Sequence, residues 1–440
     1  MDTAAQQGRA IAEGRLDPVA QTEAYLDRAR NHPDGARIWS HLTVERARSE
    51  AIAAHDRARE GLTRGPLDGV ALGWKDLFDS ANAPTEAGSR LLAGRLPARD
   101  AVVLARATAQ GAVCLGKTHM TELAFSGLGL NPMTATPPNG VQPDLAPGGS
   151  SSGSAVAVRL GMCAAAIGSD TGGSIRLPAA WNDLVGFKPA VGRLPMGGVV
   201  PLCQRFDCIG PIARTVEDCA LIFGLMGAAP APDLRGASLA GARLMVLEGT
   251  PFDAIRTAPA AGFEAAVEEL ALAGATILRR RLPAVEAAMP LAASLFAPEA
   301  YGQWKDVIEA APERMYPPIL ERFRGGGSVS AADFVAAWQR LDALRREYRA
   351  ETAGFDAVIL PTCPILPPDA ARLLADPDYF VAENLLALRN TRVGNLMDAV
   401  AITLPSGVPM TGIMLMAPPG DERRLLRLAA AAEAALGGAG

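Results

Sequence analysis

Apolar and polar positions fall into blocks along the chain whose spacing changes with position. The first sixty residues carry helical spacing. Asp17-Pro18 supplies a cap and a first-turn proline for a helix over 19–30, and an Ala-, Arg- and Glu-rich helix follows over 43–59. From Pro66 the pattern shifts to short apolar runs bounded by glycine. Stretches 70–74 and 112–116 read as buried strands on either side of a helix over 102–110, and Cys163–Ile167 reads as a strand running into a loop that ends at Ser174. Thr215-Val216-Glu217-Asp218 is a capping-box start for a helix reaching Met226. Strands at 242–247 and 275–278 enclose a helix. A capped helix over 330–352, a strand at 357–360, a proline-rich stretch over 361–369 and a helix over 421–436 complete the chain, with glycines 325–327 separating helices. There is no repeat, no heptad run and no long flexible linker. The alternation predicts an α/β protein: a single large domain with a mixed central β-sheet covered by helices on both faces.

Composition adds limits. Of 440 residues 49% are hydrophobic and 20% charged, enough to build a sizeable core. A net charge of −5 argues against a partner gripped through its phosphates, so no nucleic acid is expected. No uninterrupted apolar run reaches spanning length, and the opening MDTAAQQGRAIAEGR lacks a basic-then-apolar leader, so the expectation is a cytoplasmic protein with no membrane partner. Six cysteines without a C-x-x-C pair read as small buried hydrophobes, and four histidines without ligand spacing predict no metal. Only four of the 42 basic residues are lysine. Arginine cannot lose its proton, so a surviving lysine raises the question of whether a site needs one that can. Lys305 reads as a chance survivor; Lys75, at the end of an apolar strand, does not.

Two glycine- and serine-rich segments stand out. Pro147-Gly148-Gly149-Ser150-Ser151-Ser152-Gly153-Ser154 enters the helical run 155–159. Neither phosphate-loop nor dinucleotide spacing is present there, which leaves a capped turn or something more specialised. In the second, 167–178, two glycines directly precede Ser174. Their N–H groups can converge into a nest that stabilises an oxyanion, with Ser174 as nucleophile, or the segment is another tight turn. A serine nucleophile needs a base, and G-x-S-x-G is absent. Lys75 is the candidate. An unperturbed lysine is neutral in only about 1 molecule in 2,500 at pH 7, but burial depresses its pKa by several units. The competing reading is a buried ion pair with Asp76 or Asp79.

Together these segments resemble the amidase signature family. The resemblance rests on Lys75 in GWKDLFD, on PGGSSSGSAVAV at 147–158, and on IGSDTGGSIRLPAAWNDLVGFKP at 167–189. GPIARTVEDCALI, FDAVILPT, GNLMDAVAITLPSG and DERRLLRLA extend it along the chain. It implies an amidohydrolase that cleaves a small carboxamide, or a urea- or carbamate-like C–N bond, with no cofactor. Ser174 would form an acyl-enzyme, Ser150 would relay protons from a cis Gly149–Ser150 peptide, and neutral Lys75 would be the base. The N–H groups of Thr171, Gly172, Gly173 and Ser174 would hold the oxyanion, with Gly149, Ser151, Asp170 and Arg176 in support. Met120, Thr121, Ala124 and Phe125 would line the substrate pocket, together with variable stretches 203–207, 290–325 and 361–385. Arginines 205, 314, 322 and 324 lie in or beside these stretches as possible carboxylate partners. The implied division is one domain over 1–440: an N-terminal helical segment 1–62, a catalytic core 63–225, a variable region 226–385 and a C-terminal part of the core 386–440. His119 stands where asparagine is frequent, touching either pocket polarity or packing. Oligomeric state is open, a homodimer being one expectation. The alternative activity is the glutaminase-type subunit of an aminoacyl-tRNA amidotransferase, and a third reading is a non-catalytic scaffold of the fold. The KDLFD motif sits nearer the free amidases and the allophanate- or carboxybiuret-hydrolase branch.

Overall fold

Eleven strands carry the architecture: β1 (Trp39–Leu42), β2 (Ala71–Lys75), β3 (Val113–Thr118), β4 (Ala165–Asp170), β5 (Val185–Lys188), β6 (Cys208–Ala213), β7 (Arg243–Glu248), β8 (Thr276–Arg281), β9 (Ala357–Pro361), β10 (Val400–Pro405) and β11 (Gly412–Ala417). They form one sheet in the order β1-β3-β2-β4-β6-β5-β10-β11-β9-β7-β8. These features belong to a computed structural model describing residues 2–227 and 230–438. Met1, 228–229 and 439–440, which fall within the single-domain span and its 226–385 region, lie outside the described residues. Strands β3, β2 and β4 run parallel, as do β9, β7 and β8, while β6, β5, β10 and β11 join the two blocks by antiparallel ladders.

Strand side chains alternate between two faces, and both faces are buried in the central strands, while the edge strands β1 and β8 carry exposed positions. Ala71, Val113, Leu115 and Ala166 pack into one core with helix Ser152–Arg159. Leu72, Trp74, Cys114, Ala165 and Ile167 pack into the larger core on the other side, with Phe263 and Leu425 from long helices. This is the mixed sheet with helices on both faces that the pattern predicts. The predicted helices are present, with Asp17 capping Pro18–Asn31 and Ser330 capping Ala331–Thr352. Thr215 accepts the Asp218 N–H as the N-cap, while the Asp218 carboxylate accepts the N–H of Ala5 and ties down the N-terminal helix.

The expected loop 168–174 is corrected. Pairing of Gly168, Ser169 and Asp170 with Gly210, Ile209 and Cys208 of β6 carries β4 on to Asp170. All six cysteines are buried free thiols, and no helix among the described residues is long and apolar enough to cross a membrane. Lys75, Lys117 and Lys188 are fully buried; Lys305 is exposed.

Candidate active site

Lys75 ends β2 and Asp170 ends the adjacent parallel strand β4, so both reach the carboxyl edge of the parallel block, where α/β sheets place their sites. The Lys75 side chain is wholly enclosed. Its Nζ donates at 2.7 Å to the hydroxyls of Ser150 and of Ser169. Asp76 and Asp79, the competing partners, are engaged elsewhere: Asp76 with Lys117 at 3.2 Å and Asp79 with Arg95 at 2.5 Å. With no carboxylate in contact, burial pulls the Lys75 ammonium down to about 7, against a weaker opposing pull from Asp170 and Asp207.

Ser150 follows a cis Gly149–Ser150 peptide bond in the turn before helix Ser152–Arg159. The Ser150 carbonyl accepts the Thr121 N–H at 3.1 Å, and the Ser174 carbonyl accepts the Ser151 N–H at 3.3 Å, which sets the two serine turns side by side. Ser151 caps no helix with its side chain; its Oγ bonds the Ser169 carbonyl at 3.3 Å and so locks the turn onto β4.

Asp170 braces the loop that carries Ser174. Its carboxylate takes Arg176 Nη2 at 2.8 Å and Nε at 3.0 Å, Asn395 Nδ2 at 2.9 Å, and the N–H groups of Gly173 and Ile175 at 3.0 and 3.1 Å. Burial pushes its acid up, but the Arg176 guanidinium, the Lys188 charge and the Asn395 amide together hold it well below the usual carboxylate range. Gly173 commits its N–H to this brace. Among the described residues the N–H groups of Thr171, Gly172 and Ser174 make no hydrogen bond within the chain, and those three residues line one cavity of about 300 Å³. Asp207 steadies the edge, accepting the Thr171 hydroxyl at 2.5 Å and the N–H groups of Leu202 and Cys203.

Ala124 and Phe125 line this cavity, while Met120 and Thr121 do not. Left-handed backbone at Leu123 and Ala124 (φ 45° and 61°) turns the chain between Thr121 and Phe125, so that Ala124, in the turn, and Phe125, after it, reach the cavity. Met120 instead accepts Asn131 through its carbonyl, and Thr121 packs behind Gly149. The 203–207 stretch gives way to its neighbour Leu202, and 361–385 contributes Leu385 alone; the helices near 290–297 supply most of the apolar wall. His119 lies outside the cavity, its ring pulled down to about 4 by burial, which is the packing role. Ser169, Asp207 and Asn395 lie inside stretches that the sequence singles out (167–189, 203–207 and 394–407) but receive no role there, and Arg392 escapes sequence reasoning.

A buried amine joined to one serine, beside a second serine at uncommitted amide donors, can move a proton and stabilise an oxyanion. The amidase family model matches residues 20–426.

The chain belongs to the amidase signature family.

It is 36% identical over 439 residues to 2-amino-5-chloromuconic acid deaminase of Comamonas testosteroni, covering 96% of this chain and 92% of the relative. It is 31% identical over 455 residues to the A component of glutamyl-tRNA(Gln) amidotransferase from Chloroflexus aggregans, covering 95% and 93%. A crystal structure of an amidase superposes with a TM-score of 0.88 at 30% identity over 98% of this chain and 99% of the other. As a member of this family the chain is a hydrolase of amide C–N bonds.

Proposed function

We propose that the protein hydrolyses a small carboxamide or related C–N bond through an acyl-enzyme on Ser174, with Ser150 as proton relay and neutral Lys75 as base. The observation that carries this reading is the 2.7 Å bond from Lys75 Nζ to Ser150 Oγ, made by an amine whose pKa stands at about 7. At neutral pH about half of such amines are free to accept a proton. The Ser174 oxygen attacks the carbonyl carbon as its proton passes to Ser150, and Ser150 passes its own to Lys75. The carbonyl oxygen becomes an oxyanion, received by the uncommitted N–H groups of Thr171, Gly172 and Ser174. Lys75 then returns the proton through Ser150 to the nitrogen. The C–N bond breaks, ammonia or an amine leaves, and the acyl group remains as an ester on Ser174. Water, activated by the same relay, hydrolyses that ester to the acid and restores the serine. The cavity of about 300 Å³ suits a compact substrate.

Fluorophosphonate labelling of Ser174 and ammonia release from a panel of primary amides, ureas and carbamates test this reading. Ser174→Ala is expected to abolish both while unfolding at the wild-type temperature; turnover near wild type in that variant removes the assignment. The similarity to an amidotransferase component supports a second reading, a glutaminase working with partner chains. Hydrolysis of simple amides by the isolated chain, with no preference for glutamine, favours the stand-alone enzyme.

A further inference from the structure

The cavity that contains Ser174 carries two cationic side chains that the hydrolytic steps do not use. Arg322 comes from helix Pro317–Arg324 and Arg392 from helix Arg389–Leu396. Among the described residues neither guanidinium makes an ion pair or a hydrogen bond within the chain, and Arg322 Nη1 is buried without a partner. Neighbouring arginines behave differently: Arg176 is saturated by Asp170, Asn395 and the Thr391 carbonyl, and Arg345 donates to the carbonyl of Leu396. The other arginines singled out in the sequence are also accounted for. Arg205 stacks on Trp338 at 4.9 Å, Arg324 pairs with Glu309 at 2.8 Å, and Arg314 lies exposed on a surface turn.

Two such charges on one cavity wall disfavour each other. Burial first, and the charge of Arg392 after it, lower Arg322 to about 9, and burial lowers Arg392 to about 10; both stay cationic at neutral pH. Phe125 covers one face of Arg322 at 4.4 Å, which leaves the edge of the guanidinium for an acceptor. Arg392 follows Thr391, whose hydroxyl donates to the Gly172 carbonyl at 2.8 Å, so its backbone sits one residue from a direct tie to the nucleophile loop. The buried carboxylates around the nucleophile loop are already engaged, Asp170 by Arg176 and Asn395, and Asp207, just before β6, by Thr171, Leu202 and Cys203. An anion brought in with the substrate is the missing partner.

We propose that Arg322 and Arg392 form a carboxylate seat, and that the substrate is a short amide bearing a carboxylate a few carbons from the scissile carbonyl. This rests on the hydrolase reading above and names its substrate class. The guanidinium forks hold the carboxylate, the apolar wall of Leu202, Phe296 and Leu388 holds the connecting carbons, and the amide is presented to Ser174.

The test uses the Ser174→Ala protein and calorimetric binding of malonamate, succinamate and glutaramate, each beside the neutral alkyl amide of the same length. At least one acid is expected to bind about tenfold or more tighter than its neutral counterpart. Arg322→Gln and Arg392→Gln, each on that background, should weaken the acid by about 10- to 100-fold and so collapse the acid-to-neutral ratio. Arg→Lys at either position should restore part of it. The seat is overturned if no acid out-binds its neutral counterpart, or if both glutamine variants weaken the two ligands equally. Labelling of wild-type Ser174 by a fluorophosphonate separates the two ideas. Labelling and turnover without acid preference ends the seat and leaves the hydrolase; acid-selective binding with neither labelling nor turnover ends the hydrolase and leaves the seat.

Discussion

Replacing Lys75 by methionine probes the central physical claim without relying on a substrate. An ammonium with an ordinary pKa of 10.5 in the unfolded chain and about 7 in the fold binds its proton less tightly when folded. The unfolded state therefore carries more protons between those values, and folding stability rises as pH climbs from about 7 toward 10.5. Fully expressed, a shift of this size is worth about 5 kcal/mol, at ~1.36 kcal/mol per pKa unit, and it weighs against the folded state below pH 7. Lys75→Met removes that linkage and nothing else that titrates. The two hydroxyls it leaves behind, on Ser150 and Ser169, cost about 1–3 kcal/mol each at every pH. The variant's absolute stability is thus a balance, but its pH trend is not. Between pH 7 and pH 9 the wild type should gain about 2 kcal/mol relative to Lys75→Met. Urea unfolding of both proteins at half-unit steps measures this difference. The wild-type kcat/KM should rise through the same midpoint near 7, about tenfold per unit below it and flat above. A stability difference that does not move with pH, together with a flat activity profile from pH 6 to 8, refutes the neutral-amine argument.

Asp170→Asn leaves the enclosed Arg176 guanidinium without its counter-charge and should cost about 3 kcal/mol or more, read as a fall in the urea midpoint. Gly173→Ala places a Cβ 2.0 Å from Thr391 Oγ1 on a backbone with φ +136°, so the nucleophile loop must shift. A loss of kcat/KM of about tenfold or more is expected, with a lower melting temperature; unchanged activity shows that the loop tolerates displacement.

Most of the parallel half of the sheet was readable in the sequence because its strands β2, β3, β4, β7 and β9 are short apolar runs enclosed by the fold, whereas the edge strand β8 is largely exposed and ends in three arginines. The antiparallel half hid itself. Strand β6 contains Gly210 and Pro211 in a central position, where proline ordinarily argues against a strand. It fits because β5 pairs only with residues 212 and 213, so Pro211 faces β4 alone in the ladder. Likewise the site's nearby parts were legible: Lys75, Ser150 and Ser174 each sit in a motif with its own signature. The parts that close the site arrive from far along the chain. Asn395 and Thr391 brace the loop through contacts more than 200 residues away in sequence; Asn395 sits in the GNLMDAVAITLPSG stretch, but nothing in that stretch shows that it reaches Asp170, and no local pattern marks Thr391. Arg392 belongs to the same remote helix, and its unpaired state is a property of the folded cavity.

The distribution of lysine has a practical corollary. With Lys75, Lys117 and Lys188 sealed in the interior, amine-directed reagents meet a single exposed side chain, Lys305 on helix Leu291–Ala310. Cross-linkers, acylating dyes and resin esters therefore have one lysine to reach besides the chain's α-amine, and acylation of Lys305 would leave the guanidinium-based surface charge almost untouched.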